Sequence, residues 1–327
     1  MHPALQRMVA EATHAEHVQP DEVIQSLWSG YGEIIRLQLS GCEPSSAILK
    51  HVKPPSVIHH PRGWHSDASH ARKLKSYAVE MRWYEHWSQS CTAKCRVPKG
   101  YLTTTHNDEF IILLEDLDAA GFSIRKEDVE IEDIRQCLHW LAYFHATFLG
   151  KVPKGLWDCG SYWHLDTRAD ELAAMQHKPL QQAAVSIDLA LKNAHYQTLI
   201  HGDAKLANFC FADDAQSVAA VDFQYVGGGC GMKDVAYFLG SCLDDAQCET
   251  SIPELLDVYF KYLKQAIKAH HPQIDYDALE SEWRGLFPIA WVDFYRFLDG
   301  WMVDHWKINS YTRRLAAEVL KTSACTS

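Results

Sequence analysis

A chain of 327 residues with 47% hydrophobic and 22% charged side chains is large enough for a substantial core, and its length predicts two domains or lobes. A formal net charge of -11 and the lack of a basic stripe exclude a binder of nucleic-acid phosphates. No apolar run is long enough to cross a bilayer and residues 1–17 lack the apolar core of a signal peptide, so a cytoplasmic protein without a membrane partner is expected.

Ten cysteines without a Cys-x-x-Cys pair read as reduced thiols rather than a disulfide framework. Of nineteen histidines, His59, His60, His65 and His70 crowd one stretch. They lack zinc-site spacing, so a solvated loop stands against a metal role there.

In chain order, Pro20 and Asp21 predict a short helix over residues 21–28. Gly30 and Gly32 then enter an apolar segment, either as an ordinary turn or as a place where backbone amides approach a phosphate. Residues 46–52 alternate as a strand, with Ile48, Lys50 and Val52 on one face. Lys50 must therefore snorkel to solvent or meet an anion.

A Pro- and His-rich loop over 54–68 leads into a helix predicted at 71–87, where Glu80 lies beside the stripe of Leu74, Tyr77, Met81 and Tyr84. Glu80 either borders that helix in solvent or reaches back to Lys50. Strands follow at 101–105 and 110–114, the second an unbroken apolar run that must be buried on both faces. At Glu115, Asp116 and Leu117 the pattern turns acidic and loop-like, which places a boundary between a lobe at 1–117 and another at 118–327.

The second lobe reads as mostly helical, with helices at 127–148, 167–194, 232–242, 253–270 and 276–306 and a kink expected at Pro288. His145, on the apolar stripe of the first of these, reads as a satisfied core histidine. The last helix interleaves Trp283, Phe287, Trp291, Phe294, Tyr295, Trp301 and Trp306 with Asp293, Asp299 and Asp304. Such a stripe is either core packing with an acidic face or a surface that takes a quaternary ammonium or a flat alcohol.

The stretch LIHGDAKLANFCF, starting at Leu199, carries Asp203 after a His-Gly pair, Lys205 two residues on and Asn208 five residues on. The next apolar run ends in Asp222. Phosphoryl transfer needs a base for the hydroxyl proton, a metal bridging the phosphate oxygens and a cation for the nucleotide phosphates. Asp203 is the candidate base, Asn208 and Asp222 the magnesium ligands, and Lys50, held by Glu80, the phosphate clamp. Oxygen donors of this kind suit Mg²⁺.

HGDAKLANF followed by VDFQ resembles the catalytic segment of the aminoglycoside phosphotransferase and choline kinase superfamily. The Asp-Phe-Gln form, the ILLEDL run and Glu80-Met-Arg-Trp-Tyr84 are most similar to its ecdysteroid-kinase-like branch. The resemblance implies an α+β, two-lobed protein-kinase-like fold. An N-terminal antiparallel sheet lobe with one main helix would bind the nucleotide, and a larger, mostly helical C-terminal lobe would carry the catalytic loop and acceptor site. It implies an ATP- and Mg²⁺-dependent kinase acting on a hydroxylated small molecule, as a monomer or homodimer.

Residue by residue, the resemblance makes Asp203 the catalytic aspartate, and Asn208 and Asp222 metal ligands. Lys50 becomes the phosphate-contacting lysine, Glu80 its partner, and Gly30 and Gly32 the remnant of a glycine loop. Glu115, Asp116 and Leu117 fall at the hinge that receives adenine through backbone groups. Lys205 would touch the transferred phosphate or lie in solvent. Protein kinases carry His-Arg-Asp and Asp-Phe-Gly where this chain has Gly202 and Gln224, which implies a small-molecule acceptor and no activation-loop switch. Aminoglycoside, choline and steroid-like alcohol kinases remain open at this point. So does a non-catalytic kinase-like module, whereas a hydrolase built on the histidine-rich loop lacks ligand spacing.

Overall fold

The computed structural model describes residues 1–27, 30–54, 67–214 and 216–324. Two compact units emerge, one of Met1–Thr92, Arg96–Ile124 and Cys210–Gln224, the other of Ala93–Cys95, Arg125–Phe209 and Tyr225–Ser327.

The first unit opens with helix α1 (Pro3–Thr13) and strands β1 (His17–Ser26), β2 (Gly32–Ser40) and β3 (Ser46–Val52). Helix α2 (Asp67–His86) and strands β4 (Gly100–His106) and β5 (Glu109–Glu115) complete it. The strands form one antiparallel sheet in the order β1-β2-β3-β5-β4. Because side chains alternate across a strand, register sorts them into two faces. Leu37, Leu39, Ala47, Leu49, Ile111 and Leu113 join Leu5 and Val9 of α1 in one core. The opposite face carries Val52, which packs with Tyr77 of α2, and Lys50, which stands opposite Ile34 and Ile112.

Of the helix expected at 21–28, residues 21–26 lie instead in β1. Pairing with β2 outweighs the local Pro-Asp start signal, and Pro20 sits beside a register shift on this edge strand, where a missing N–H is tolerated. Trp28 lies outside the described residues, as do His59, His60 and His65.

The second unit contains α3 (Ile131–Thr147), α4 (Ala169–Ala174), α5 (Lys178–Lys192) and strand β6 (Thr198–Ile200). Strands β7 (Phe209–Phe211) and β8 (Val218–Ala220), which fall almost wholly in the first unit, pair with each other, and in the second unit β9 (Gly227–Gly229) pairs with β6. Four helices follow, α6 (Met232–Cys242), α7 (Asp245–His270), α8 (Tyr276–Trp301) and α9 (Ser310–Ala324). Helix α7 starts well before the predicted 253, because Asp244 and Gln247 form a capping box ahead of Pro253. Helix α8 runs through Pro288 and stops at Trp301 rather than 306. The described cysteines form no disulfide, and no helix among the described residues is long and apolar enough to cross a membrane.

Candidate active site

In the first unit, the Lys50 face of the sheet is covered by α2, so the lysine cannot snorkel. It is 5% exposed, and its Nζ meets Glu80 Oε2 at 2.6 Å and Asp222 Oδ1 at 3.3 Å. Burial alone would lower Lys50, but Glu80 and Asp222 more than offset it and hold the ammonium above the ordinary lysine range. Burial works against the Glu80 carboxylate while Lys50 works for it, and the 2.6 Å contact is that of an ion pair. Two readings open in the sequence, a solvated Lys50 and a solvated Glu80, thereby close.

Asp222 follows β8 and has φ 69, a left-handed conformation uncommon outside glycine. Phe223 is fully buried and stacks on Trp83 with ring centroids 4.4 Å apart. Gln224 Nε2 donates to Asp222 Oδ1 at 2.6 Å, and Gln224 Oε1 accepts from Ser76 Oγ at 3.1 Å and Lys73 Nζ at 3.4 Å. The glutamine that departs from Asp-Phe-Gly is thus a strut between Asp222 and α2.

Gly32 is required for a local reason, since a Cβ there would stand 2.1 Å from the His51 carbonyl oxygen. Gly30 has φ +74 with open space around it. At the end of β5, Glu115 accepts from Arg96 and from the Lys99 amide. Buried Asp116 accepts from Arg36 Nε and Ser46 Oγ, both at 2.9 Å, and Leu117 packs on Cys210 and Ala219. His70 of the histidine-rich stretch lies on α2 against the Tyr31 hydroxyl.

In the second unit the candidate catalytic loop follows β6. Asp203, 6% exposed, accepts at Oδ1 from the Tyr237 hydroxyl at 3.1 Å and at Oδ2 from Lys205 Nζ at 3.1 Å and Asn208 Nδ2 at 3.2 Å. Asn208 Nδ2 also donates to the Asp203 carbonyl at 2.7 Å. With its nitrogen committed, the Asn208 oxygen is the atom that can serve a metal. The Lys205 side chain is 40% exposed, so it is in solvent and on Asp203 at once.

The loop hangs from Asp234 in the first turn of α6. This fully buried carboxylate accepts the His201 amide at 2.6 Å and the Gly202 amide at 2.9 Å, and lies 3.1 Å from His145 Nε2. His145 Nδ1 meets the Tyr259 hydroxyl at 2.8 Å, so it is a satisfied core histidine.

Gly202 has φ +80, and a Cβ there would lie 2.1 Å from the Tyr225 carbonyl oxygen and 2.7 Å from the Ser161 amide. No arginine fits where protein kinases place one. Gly202→Ala is expected to cost about 2 kcal/mol or more from left-handed strain and overpacking, read as a lowered urea midpoint.

Asp234, Tyr237 and Lys307 were not singled out in the sequence. Asp234 leaves one trace, a carboxylate beside Lys233 at the start of a helix whose next residues are apolar. Tyr237 and Lys307 leave none, since an aromatic on a buried helix and a lysine in a polar connection are ordinary.

Residues 160–271 match the model of the ecdysteroid kinase-like family. The matched segment contains Asp203, Asn208, Asp222 and Asp234, and agrees with the resemblance carried by HGDAKLANF and VDFQ. Among solved structures, a microcompartment-associated aminopropanol kinase superposes with TM-score 0.52 at 14% identity, covering 98% of each chain. An amicoumacin kinase determined with AMP-PNP and Ca²⁺ gives TM-score 0.52 at 15% identity, covering 98% of this chain and 95% of its own. The fold is therefore the α+β protein-kinase-like fold shared by small-molecule kinases. No curated protein matches the sequence.

Proposed function

We propose that the chain is an ATP- and Mg²⁺-dependent phosphotransferase that moves the γ-phosphate to a hydroxyl group of a small molecule. The observation that carries this reading is the buried Lys50 ammonium held by Glu80 and by a left-handed Asp222. Holding a lysine charged inside a unit is costly unless the charge is used. The family match over 160–271 and the kinase fold support the same chemistry.

In this reading residues 1–117 form the nucleotide lobe with its hinge, and 118–327 carry the catalytic loop and acceptor site. Lys50 binds nucleotide phosphates, Glu80 fixes its direction, and the Gly30 and Gly32 turn borders them. Backbone groups of Glu115, Asp116 and Leu117 receive the base, because those side chains already serve internal bonds. Asn208 and Asp222 supply oxygen donors of the type Mg²⁺ takes. Bound there, the metal would supply charge neutralisation for the phosphate. Asp203 accepts the acceptor's hydroxyl proton, and Lys205 is placed to touch the transferred phosphate.

An ATP-consumption screen of purified protein against hydroxylated acids, sterols, choline and aminoglycosides tests the proposal; no turnover and no nucleotide binding would sink it. Turnover separates a kinase from a nucleotide-binding module without activity. Asp222→Ala is expected to remove the Mg²⁺ dependence of tight ATP binding, weakening it by at least about tenfold in titration calorimetry with metal and leaving the EDTA value unchanged.

A further inference from the structure

The Asp203 carboxylate is joined to an aromatic cluster. Tyr237, whose hydroxyl donates to Asp203, packs against Tyr162 at 5.6 Å, Trp163 at 4.8 Å and Phe294 at 4.9 Å between ring centroids. Such a surface beside the catalytic aspartate could take a cationic acceptor, but the chain supplies its own cations there. Lys307 Nζ lies 5.0 Å from the Tyr237 ring centroid and 5.5 Å from that of Phe294. The Arg168 guanidinium lies 5.9 Å from the Tyr162 centroid and 5.0 Å from that of Phe297.

The acidic residues of α8 offer an incoming amine nothing in exchange. Asp293 is buried and bound by Lys233 at 3.1 Å, by Arg296 at 2.9 Å and by the Trp163 indole at 2.9 Å. Asp299 accepts the Gln176 and His177 amides, both at 2.8 Å.

Lys233 Nζ, 5.5 Å from the Trp163 centroid, and Arg168 differ from Lys307 in one respect. Arg168 is paired with Glu171 at 2.9 Å, whereas no carboxylate among the described residues forms an ion pair with Lys307. Burial pulls the Lys307 ammonium down to about 8, with Cys242 and Asp203 acting in the opposite direction. It therefore carries its charge at neutral pH, half-buried and with no ion pair among the described residues to offset the cost. An anion brought by a ligand would relieve that cost.

Resting on the phosphotransferase reading, we propose that the acceptor is a hydroxylated organic acid whose carboxylate binds Lys307 while its hydroxyl faces Asp203. One tyrosine separates the two groups, with the Tyr237 ring beneath Lys307 and its hydroxyl on Asp203, so the acid and the reacting hydroxyl lie close together on the acceptor. Amine-bearing acceptors meet the cations already on the aromatic surface and are excluded by repulsion.

Two series that keep the carbon skeleton and change the charge beside the hydroxyl test this in the full-length protein: mandelate, mandelamide and phenylethanolamine, and 3-phenyllactate, its primary amide and the corresponding primary amine. Thermal protection and ATP consumption are measured for each. The acid is expected to exceed the amide and amine by about tenfold or more in affinity or kcat/KM in at least one series, the worth of a charge-assisted bond. Lys307→Met should remove that preference by raising KM for the acid with little change in its kcat, and Lys307→Arg should retain it. A preference for the amine, or no acid-specific protection in either series, overturns the proposal. So does a Lys307→Met variant that slows all acceptors equally, which would assign the lysine to the transferred phosphate instead. Calorimetry with MgATP is run alongside, because failure there overturns the kinase reading and leaves the acid-binding result to stand or fall by itself.

Discussion

Asparagine in place of Asp203 is expected to lower kcat by about three orders of magnitude while MgATP binding stays within a few fold. The native carboxylate is surrounded by donors, namely the Tyr237 hydroxyl, the Lys205 ammonium and the Asn208 amide nitrogen. That arrangement keeps its oxygens as acceptors, which is the state a base needs. The substitution preserves shape but replaces one acceptor oxygen with an amide nitrogen that cannot take a proton. Single-turnover phosphate transfer beside nucleotide titration separates the two effects. Turnover retained within tenfold would remove Asp203 from the role of base.

Asp234→Ala is expected to produce the largest loss of stability in the second unit, about 3–5 kcal/mol in urea unfolding, because it strands several buried groups at once. The carboxylate is fully buried and receives two consecutive backbone N–H groups of the catalytic loop, at His201 and Gly202, while also facing His145. Without it those amides have no acceptor, and the Asp203 backbone loses its fixed position. Hydrogen exchange at His201 and Gly202 should rise by more than at Ile200, which is held in the β6-β9 pair. Asp234→Asn, which keeps one acceptor oxygen but sets an NH₂ group against a backbone N–H, should lose less stability yet still loosen the loop. Equal exchange in wild type and both variants would show that Asp234 does not anchor it.

Much of the site was legible because its signals are local. The alternation of Ile48, Lys50 and Val52 placed the lysine on an apolar face, and the register of β3 against β2 and β5 shows why it meets Glu80 rather than solvent. The spacing of Asp203, Lys205 and Asn208 is short enough for one turn of chain to bring them together, and it does. The Pro20-Asp21 signal misled for the complementary reason. A helix start is read from a few neighbours, whereas β1 exists through pairing with β2, which no local window contains.

The sequence by itself determined the period of each buried segment, the order of Lys50, Glu80, Asp203, Asn208 and Asp222, and the kinase-like resemblance, because each depends on nearest neighbours along the chain. Only the tertiary structure decided which charges are spent and which remain. Asp293 and Asp299 looked available on α8 and are consumed by Lys233, Arg296 and two backbone amides. Gln224 looked like a lost glycine and is a strut, and Lys307 gave no signal and stands charged over the ring that holds Asp203. Burial sets the energetic weight of each polar group, and burial is a property of packing between segments distant in sequence.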